Sequence, residues 1–201
     1  MEDRSGHFAG DEPIAIVRSW MAEAEATELN DAAAVALATV DSAGMPNVRM
    51  VLLKRVSEDG LQFFTNHGSA KARELQDTGK AALVMHWKSL RRQIRVRGRV
   101  ERQDGPETDA YFKSRSPGSR YGAWASRQSQ ILGSREEMEH RLRDVRTRLG
   151  PDPHRPEFWG GYRLLPSEVE FWSDAPDRLH DRFLWRRAEG GSGWIVQRLW
   201  P

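Results

Sequence analysis

Short apolar runs with a side-chain period of two recur along this chain, and turn formers separate the first of them. "AAVALATV" (33–40) and "NVRMVLLKR" (47–55) flank "DSAGMP", whose Asp, Ser, Gly and Pro favour a tight reversal. "GLQFFT" (60–65) and "KAALVMHW" (80–87) follow as further strands. In "RQIRVRGRVE" (92–101), Ile94, Val96 and Val100 alternate with Arg95, Arg97 and Arg99, so one face enters a core and the other is basic. Strands mostly adjacent in sequence favour antiparallel pairing over a doubly wound sheet.

Helices are inserted between these strands rather than alternating with them. Asp11 is placed to cap a helix in which Pro13 sits in the first turn and Ile14, Val17, Met21 and Ala24 share a face. "SAKARELQDTG" reads as a short helix from Ser69 with Gly79 just past its end. "PETDAYFKSR" reads as another, broken by Pro117 and Gly118, and "SRYGAWASRQSQ" shows no clear period. In "SREEMEHRLRDVRTRLG", Ser134 and Glu137 form a capping-box pattern, Met138, Leu142, Val145 and Leu149 line one face, and Gly150 ends the helix. "GYRLL", "EVEFW", "HDRFLWRR" and "GWIVQRL" read as closing strands. The expected architecture is an antiparallel α+β barrel with peripheral helices.

With 201 residues, one domain is expected over 12–201, preceded by a mobile polar tail over 1–11. The formal charge of +2 gives no global field for nucleic acid or an anionic membrane. Cysteine is absent, which excludes disulfides, thiolate metal sites and thiol nucleophiles. No run reaches the roughly 20 apolar residues of a membrane helix, and "MEDRSGHFAGDEP" lacks the regions of a secretion signal, so a cytoplasmic location is expected.

Chemistry concentrates in a few places. In "DRLHDRF" (177–183), an extended chain puts Arg178, His180 and Arg182 on one face, as either a solvated strand edge or an anion site. Arg49 and Lys54 bracket an apolar run and, by parity, sit on opposite faces, where they can serve two different anions. Lys71 and Ser69 lie at a helix start, which suits a phosphate. Gln93 and Gln128 are amides suited to a flat heterocycle. Tyr111 and Arg115 are one helical turn apart with Ser119 just beyond, and Trp172 offers an apolar wall near Arg178. The six histidines show no paired metal spacing, and nucleophile-elbow, P-loop and dinucleotide fingerprints are missing. The basic face of Arg95, Arg97 and Arg99 stands without a recognisable nucleic-acid module.

In order, "RMVLLK", "FFTN", "RRQIRVRG", "AYFKSRSPGS", "GAWASRQSQ", "FWGGYR", "EFW" and "RLHDRF" resemble the pyridoxamine 5'-phosphate oxidase family from about Ala33 to Pro201. The resemblance implies an FMN-binding split barrel and a homodimer with FMN at the interface. It implies oxidation of pyridoxine or pyridoxamine 5'-phosphate to pyridoxal 5'-phosphate by oxygen, releasing hydrogen peroxide. The family's FMN contacts fall on Arg49, Met50, Val51, Leu52, Leu53, Lys54, Phe64, Thr65, Lys71, Gln93, Gln128, Ser129, Trp172 and Arg182. Its substrate contacts fall on Lys54, Tyr111, Arg115, Ser119, Arg178 and His180, with Arg178 and His180 at the reacting end. His180 there either moves a proton or orients the ring.

Three departures accompany the match. Phe64 stands where the family often has tyrosine, Ala70 where it often has arginine, and the amino-terminal segment lacks the basic, tyrosine-bearing stretch that can cover the site. Two other readings are a related flavin oxidase acting on a phenazine-type heterocycle and a non-enzymatic module that binds flavin or nucleic acid.

Overall fold

The computed structural model describes residues 4–190 and 193–201. Its strands are β1 (Ala34–Val40), β2 (Pro46–Ser57), β3 (Gly60–Asn66), β4 (Lys80–Trp87), β5 (Arg92–Gln103), β6 (Trp159–Ser173), β7 (Asp181–Arg187) and β8 (Trp194–Arg198). Its α-helices are α1 (Pro13–Thr27), α2 (Ala70–Thr78), α3 (Pro106–Ser114), α4 (Pro117–Ala125) and α5 (Arg135–Leu149). The sheet order is β3-β2-β1-β4-β5-β6-β7-β8, and a further β3–β6 pairing closes six of the strands into an antiparallel barrel.

Alternation explains the core. Met85, Ile94, Phe171 and Phe183 lie opposite one another across β4, β5, β6 and β7, and each is buried. Between these positions Arg95 and Arg97 turn outward, where they pair with Glu170 and Glu168 of β6. The basic face expected from β5 is therefore an ion-paired surface in which Glu170 and Glu168 each bridge an arginine of β5 and one of β7, Arg182 and Arg186.

β6 differs from expectation in being one continuous strand where two were expected. Its first part, Trp159–Leu164, pairs with β3 and closes the barrel, while Glu168–Ser173 pairs with β7 and carries the sheet beyond it. A register shift at Arg97/Gly98 of β5 lets one strand serve both. A Cβ at Gly98 would lie 1.9 Å from the Leu165 carbonyl oxygen, so the close approach there needs glycine.

Two amino-terminal expectations change. Residues 4–11, within the expected mobile tail, are seated on the sheet: Phe8 is buried against Phe183 with ring centroids 4.9 Å apart, and Trp20 Nε1 donates to the His7 carbonyl at 2.8 Å. Asp11 pairs with Arg4 at 2.6 Å rather than capping α1, whose N-cap position is Glu12. α4 begins at the expected break and runs into the segment without a clear period, set by Pro117 in its first turn and by the Ser116 side chain accepting from Ser119 N. Gly79, left-handed at φ 63°, ends α2, and Ser134 caps α5 by accepting from Glu137 N at 3.1 Å.

Candidate active site

The barrel wall opens between β2 and β3. Residues 46–52 of β2 pair with β1, and pairing with β3 begins only at Leu53. The Leu53 N–H donates to Ala33, so strand alternation turns the backbone groups of Val48, Met50 and Leu52 toward the opening. A cleft of about 970 Å³ fills this split. It is lined by Arg49, Met50, Val51, Leu52, Lys54, Phe64, Thr65, Lys71, Tyr111, Arg115, Ser119, Gln128 and Ser129, all expected site residues. Leu53, expected with them, is buried in the core instead and does not line the cleft. Lys54 is the extra residue at the register shift between Leu53 and Arg55. Arg49 and Lys54, expected on opposite faces, both line one cleft, which borders residues 47–52 of β2 without regard to parity.

Two cationic groups divide that cleft. In the first, Lys71 is buried at the start of α2, and its Nζ lies 3.2 Å from Thr65 Oγ1, 3.4 Å from Ser69 Oγ and 3.0 Å from Gln128 Oε1. No carboxylate among the described residues forms an ion pair with it. Burial, with the Arg49 charge adding to it, lowers the Lys71 ammonium to about 8. Arg49 Nη2 is 2.9 Å from Glu74 Oε2, and Asn47 and Thr39 also donate to Glu74. Burial opposes the Glu74 charge, but these hydrogen bonds together outweigh it and hold the carboxyl below its ordinary value. Ser129 adopts the left-handed region at φ 70°, a strained conformation at the cleft rim.

In the second group, Arg115 lies over the Trp159 ring at 4.8 Å, and its buried Nη1 has no hydrogen-bond partner among the described residues. Burial lowers its guanidinium and raises the nearby Tyr111 phenol. Phe64 stacks on Tyr111 at 4.1 Å and lies nearly parallel to Trp159 at 5.4 Å, forming a wall of three rings. Ser116 Oγ donates to Ser119 Oγ at 2.9 Å. The phenylalanine at 64 thus keeps the stack without a hydroxyl, and Ala70 places a methyl group on the cleft. Sequence reasoning did not single out Asn47, Asn66 or Ser116 as cleft residues, nor Trp159; the N-cap pattern Ser-Pro was the one available signal for Ser116.

The remaining expected residues lie elsewhere. Gln93, Trp172 and Arg182 face one another across β5, β6 and β7 on the outer side of the sheet. Arg182 is held by Glu170 Oε1 at 2.7 and 2.9 Å and donates to the Trp200 carbonyl at 2.9 Å. Arg178 and His180 line a second cleft, of about 790 Å³, together with Arg91 and Asp174. The alternation expected for "DRLHDRF" fails, because Pro176–Arg178 is a 3-10 turn and the strand begins only at Asp181. Asp177 and Arg178 there are left-handed, at φ 56° and 61°. No group of three or more potential metal ligands occurs among the described residues, and no described helix is long and apolar enough to cross a membrane.

Comparison with known proteins fits this geometry. The family profile described as pyridoxamine 5'-phosphate oxidase matches residues 21–149, and that of the pyridoxine 5'-phosphate oxidase C-terminal dimerisation region matches 159–201. The chain belongs to the pyridoxamine 5'-phosphate oxidase family. It is 56% identical over 201 residues, the whole of both chains, to the pyridoxine/pyridoxamine 5'-phosphate oxidase of Ruegeria sp. strain TM1040. It is 58% identical over 199 residues to that of Cereibacter sphaeroides strain ATCC 17023, covering 99% of this chain and 100% of the relative. Among solved structures, PhzG from Burkholderia lata 383, in complex with tetrahydrophenazine-1-carboxylic acid, superposes with a TM-score of 0.89 at 32% identity, covering 96% of this chain and 94% of the other. The split barrel is therefore the family fold.

Proposed function

We propose that this chain oxidises pyridoxine 5'-phosphate and pyridoxamine 5'-phosphate to pyridoxal 5'-phosphate, using FMN and oxygen and releasing hydrogen peroxide, with water taken up and ammonia released when the substrate is the amine. The observation that carries this reading is the presence of two separate cationic groups in one cleft, one buried around Lys71 and one around Arg115. A flavin mononucleotide and a phosphorylated pyridine each bring one phosphate. Lys71, with its neighbour Arg49, fits the flavin phosphate because the ammonium is already desolvated and forms no ion pair among the described residues. The outward backbone of Met50 and Leu52 and the amide of Gln128 fit the edge of a flat ring that both donates and accepts.

The substrate phosphate fits Lys54, Tyr111, Arg115 and Ser119. Arg115 Nη1, buried without a partner among the described residues, is a donor that a phosphate oxygen satisfies. Bound flavin supplies a two-electron acceptor for hydride from the substrate 4' carbon, and oxygen regenerates it. The protein's part is to hold the phosphate, exclude water from the ring wall, and receive the proton that the amine or alcohol loses.

A homodimer completes this site. Gln93, Trp172, Arg178, His180 and Arg182 lie away from the cleft of their own chain, and 159–201 matches the family's dimerisation region. Val48, Met50 and Leu52 leave apolar side chains exposed beside the cleft, Met50 at 63%, which suits burial by a second chain. Pairing then brings the Arg178 and His180 set of one chain to the cleft of the other.

Oxygen uptake by the FMN-loaded protein with pyridoxine 5'-phosphate tests the reading. Turnover with formation of pyridoxal 5'-phosphate is expected, and unphosphorylated pyridoxine should be at least about 100-fold poorer in kcat/KM, since it leaves the Arg115 group without an anion. Equal use of both compounds, or preference for a dihydrophenazine carboxylate, would reject it.

A further inference from the structure

The two cations of the first group come from different elements, Arg49 from β2 and Lys71 from α2, and one carboxylate joins those elements. Glu74 lies one helical turn after Lys71, yet its ion pair is with Arg49. It is buried, and both of its oxygens are engaged. Oε1 accepts from Asn47 Nδ2 at 3.0 Å, and Oε2 accepts from Arg49 Nη2 at 2.9 Å and from the Thr39 hydroxyl. Thr39, buried on β1, accepts in turn from Arg49 Nη1, which also donates to the Leu37 carbonyl at 3.3 Å. These contacts lie along the Nη1–Nη2 edge of the guanidinium. The Nε–H has no hydrogen-bond partner among the described residues, and it shares the other edge of the planar fork with the second Nη2 N–H. Such an edge takes two oxygens of a phosphate.

We propose that Glu74 is a positioning residue for the flavin phosphate: it holds the Nη1–Nη2 edge of Arg49 against β1 and α2, so that the remaining edge stays available to the phosphate beside Lys71. The inference rests on the reading that Arg49 and Lys71 hold that phosphate. Glu74 forms no ion pair with Lys71, so the ammonium keeps its charge for the incoming anion. An arginine already fixed in place also loses less freedom when the anion binds. Truncating Glu74 leaves Asn47 Nδ2, the Thr39 hydroxyl and Arg49 Nη2 short of an acceptor, and a freed guanidinium swings to find one. Coulomb repulsion alone has the opposite sign: a carboxylate beside a phosphate opposes it, and its removal should tighten binding. The sign of the effect therefore separates positioning from simple charge balance.

Fluorescence titration of the full-length protein with FMN and with riboflavin, which carries the same ring without the phosphate, tests this. Only a defect at the phosphate changes the preference between the two flavins. The wild type should prefer FMN by about 100-fold or more, since two cations are at stake. Glu74→Ala should cut that preference about tenfold through weaker FMN binding, with riboflavin affinity within about twofold of wild type. Glu74→Gln, which keeps an acceptor oxygen, should hold the preference within about threefold of wild type or above it. Thr39→Val, which removes the bridging hydroxyl at constant shape, should lower it about threefold. A preference unchanged or raised in Glu74→Ala overturns the inference, as does equal weakening of both flavins or a Glu74→Gln as poor as Glu74→Ala. Should Glu74→Ala fail to fold, an undiminished preference in Thr39→Val overturns it. A wild type that binds riboflavin as tightly as FMN overturns the underlying reading of the Lys71 group, a different pattern from failure of the Glu74 contact alone.

Discussion

The two clefts are built in opposite ways. The cleft in the barrel split stands on regular elements: β2, β3 and the starts of α2 and α4 set its side chains, and a hydroxyl, an amide or an aromatic ring backs each buried cation. The cleft around Arg178 stands on connections, with Arg91, Asp177 and Arg178 all in left-handed backbone and Arg178 exposed. A preformed pocket can bind phosphate with little reorganisation. A strained loop set keeps its shape only where its surroundings hold it, so in the proposed dimer a second chain would matter more to the Arg178 cleft.

Replacements that separate the two clefts sharpen the comparison. The largest effect is expected for Arg115→Ala, which removes a buried charged donor: kcat/KM for pyridoxine 5'-phosphate should fall about 100-fold, with FMN affinity unchanged by titration. A parallel loss of FMN would merge the two cationic groups into one site.

Arg178→Ala should lower kcat/KM at least about tenfold while FMN stays bound, and Arg182→Ala should first weaken FMN retention, with activity partly restored by excess cofactor. Equal FMN affinities for the two variants would show that the loop and the β7 position do the same work.

A smaller effect is expected with pH. The folded protein releases the Lys71 proton near 8, against an ordinary value of 10.5. Above that point the ammonium is neutral, so FMN affinity should fall by about fivefold between pH 7 and pH 9. In the cofactor-free protein the sign reverses. The unfolded chain holds that proton to higher pH than the folded one, so folding stability contributed by this group rises through the same window. Lys71→Met should flatten both curves, measured by flavin fluorescence titration and melting temperature.

The smallest effect is expected from Ala70→Arg, which adds a cation to the first cleft beside Lys71: FMN should bind about two- to threefold more tightly, with kcat unchanged. Weaker binding would mean that Lys71 and Arg49 already fill the space.

Much of the barrel was legible because its signals are local. Alternation in β1, β4 and β5 identifies strands and their inner faces, since a period of two is a property of each strand alone. Gly79 and Ser134 mark helix ends by the same local logic. The failures are equally specific. α4 hid behind the Pro117-Gly118 pair, which reads as a break although proline suits a first helical turn. Phe8 sits in a polar segment, and only Trp20 and Phe183, far away in sequence, make it a core residue.

For the site, residue types and order were enough to single out Lys71, Tyr111, Arg115 and Ser119, because charge and hydrogen-bonding capacity travel with the residue. Where those groups point was decided by the tertiary structure. The register shift at Lys54 interrupts the β2–β3 ladder beside the cleft, and the 3-10 turn at Pro176–Arg178 removes the alternation of "DRLHDRF". The contacts of Glu74 with Thr39 and Arg49 join α2 to two strands distant in sequence. Register, bulges and turns arise from packing between strands remote in sequence, so the sequence alone determined which chemistry was available and the fold determined which groups share a cleft.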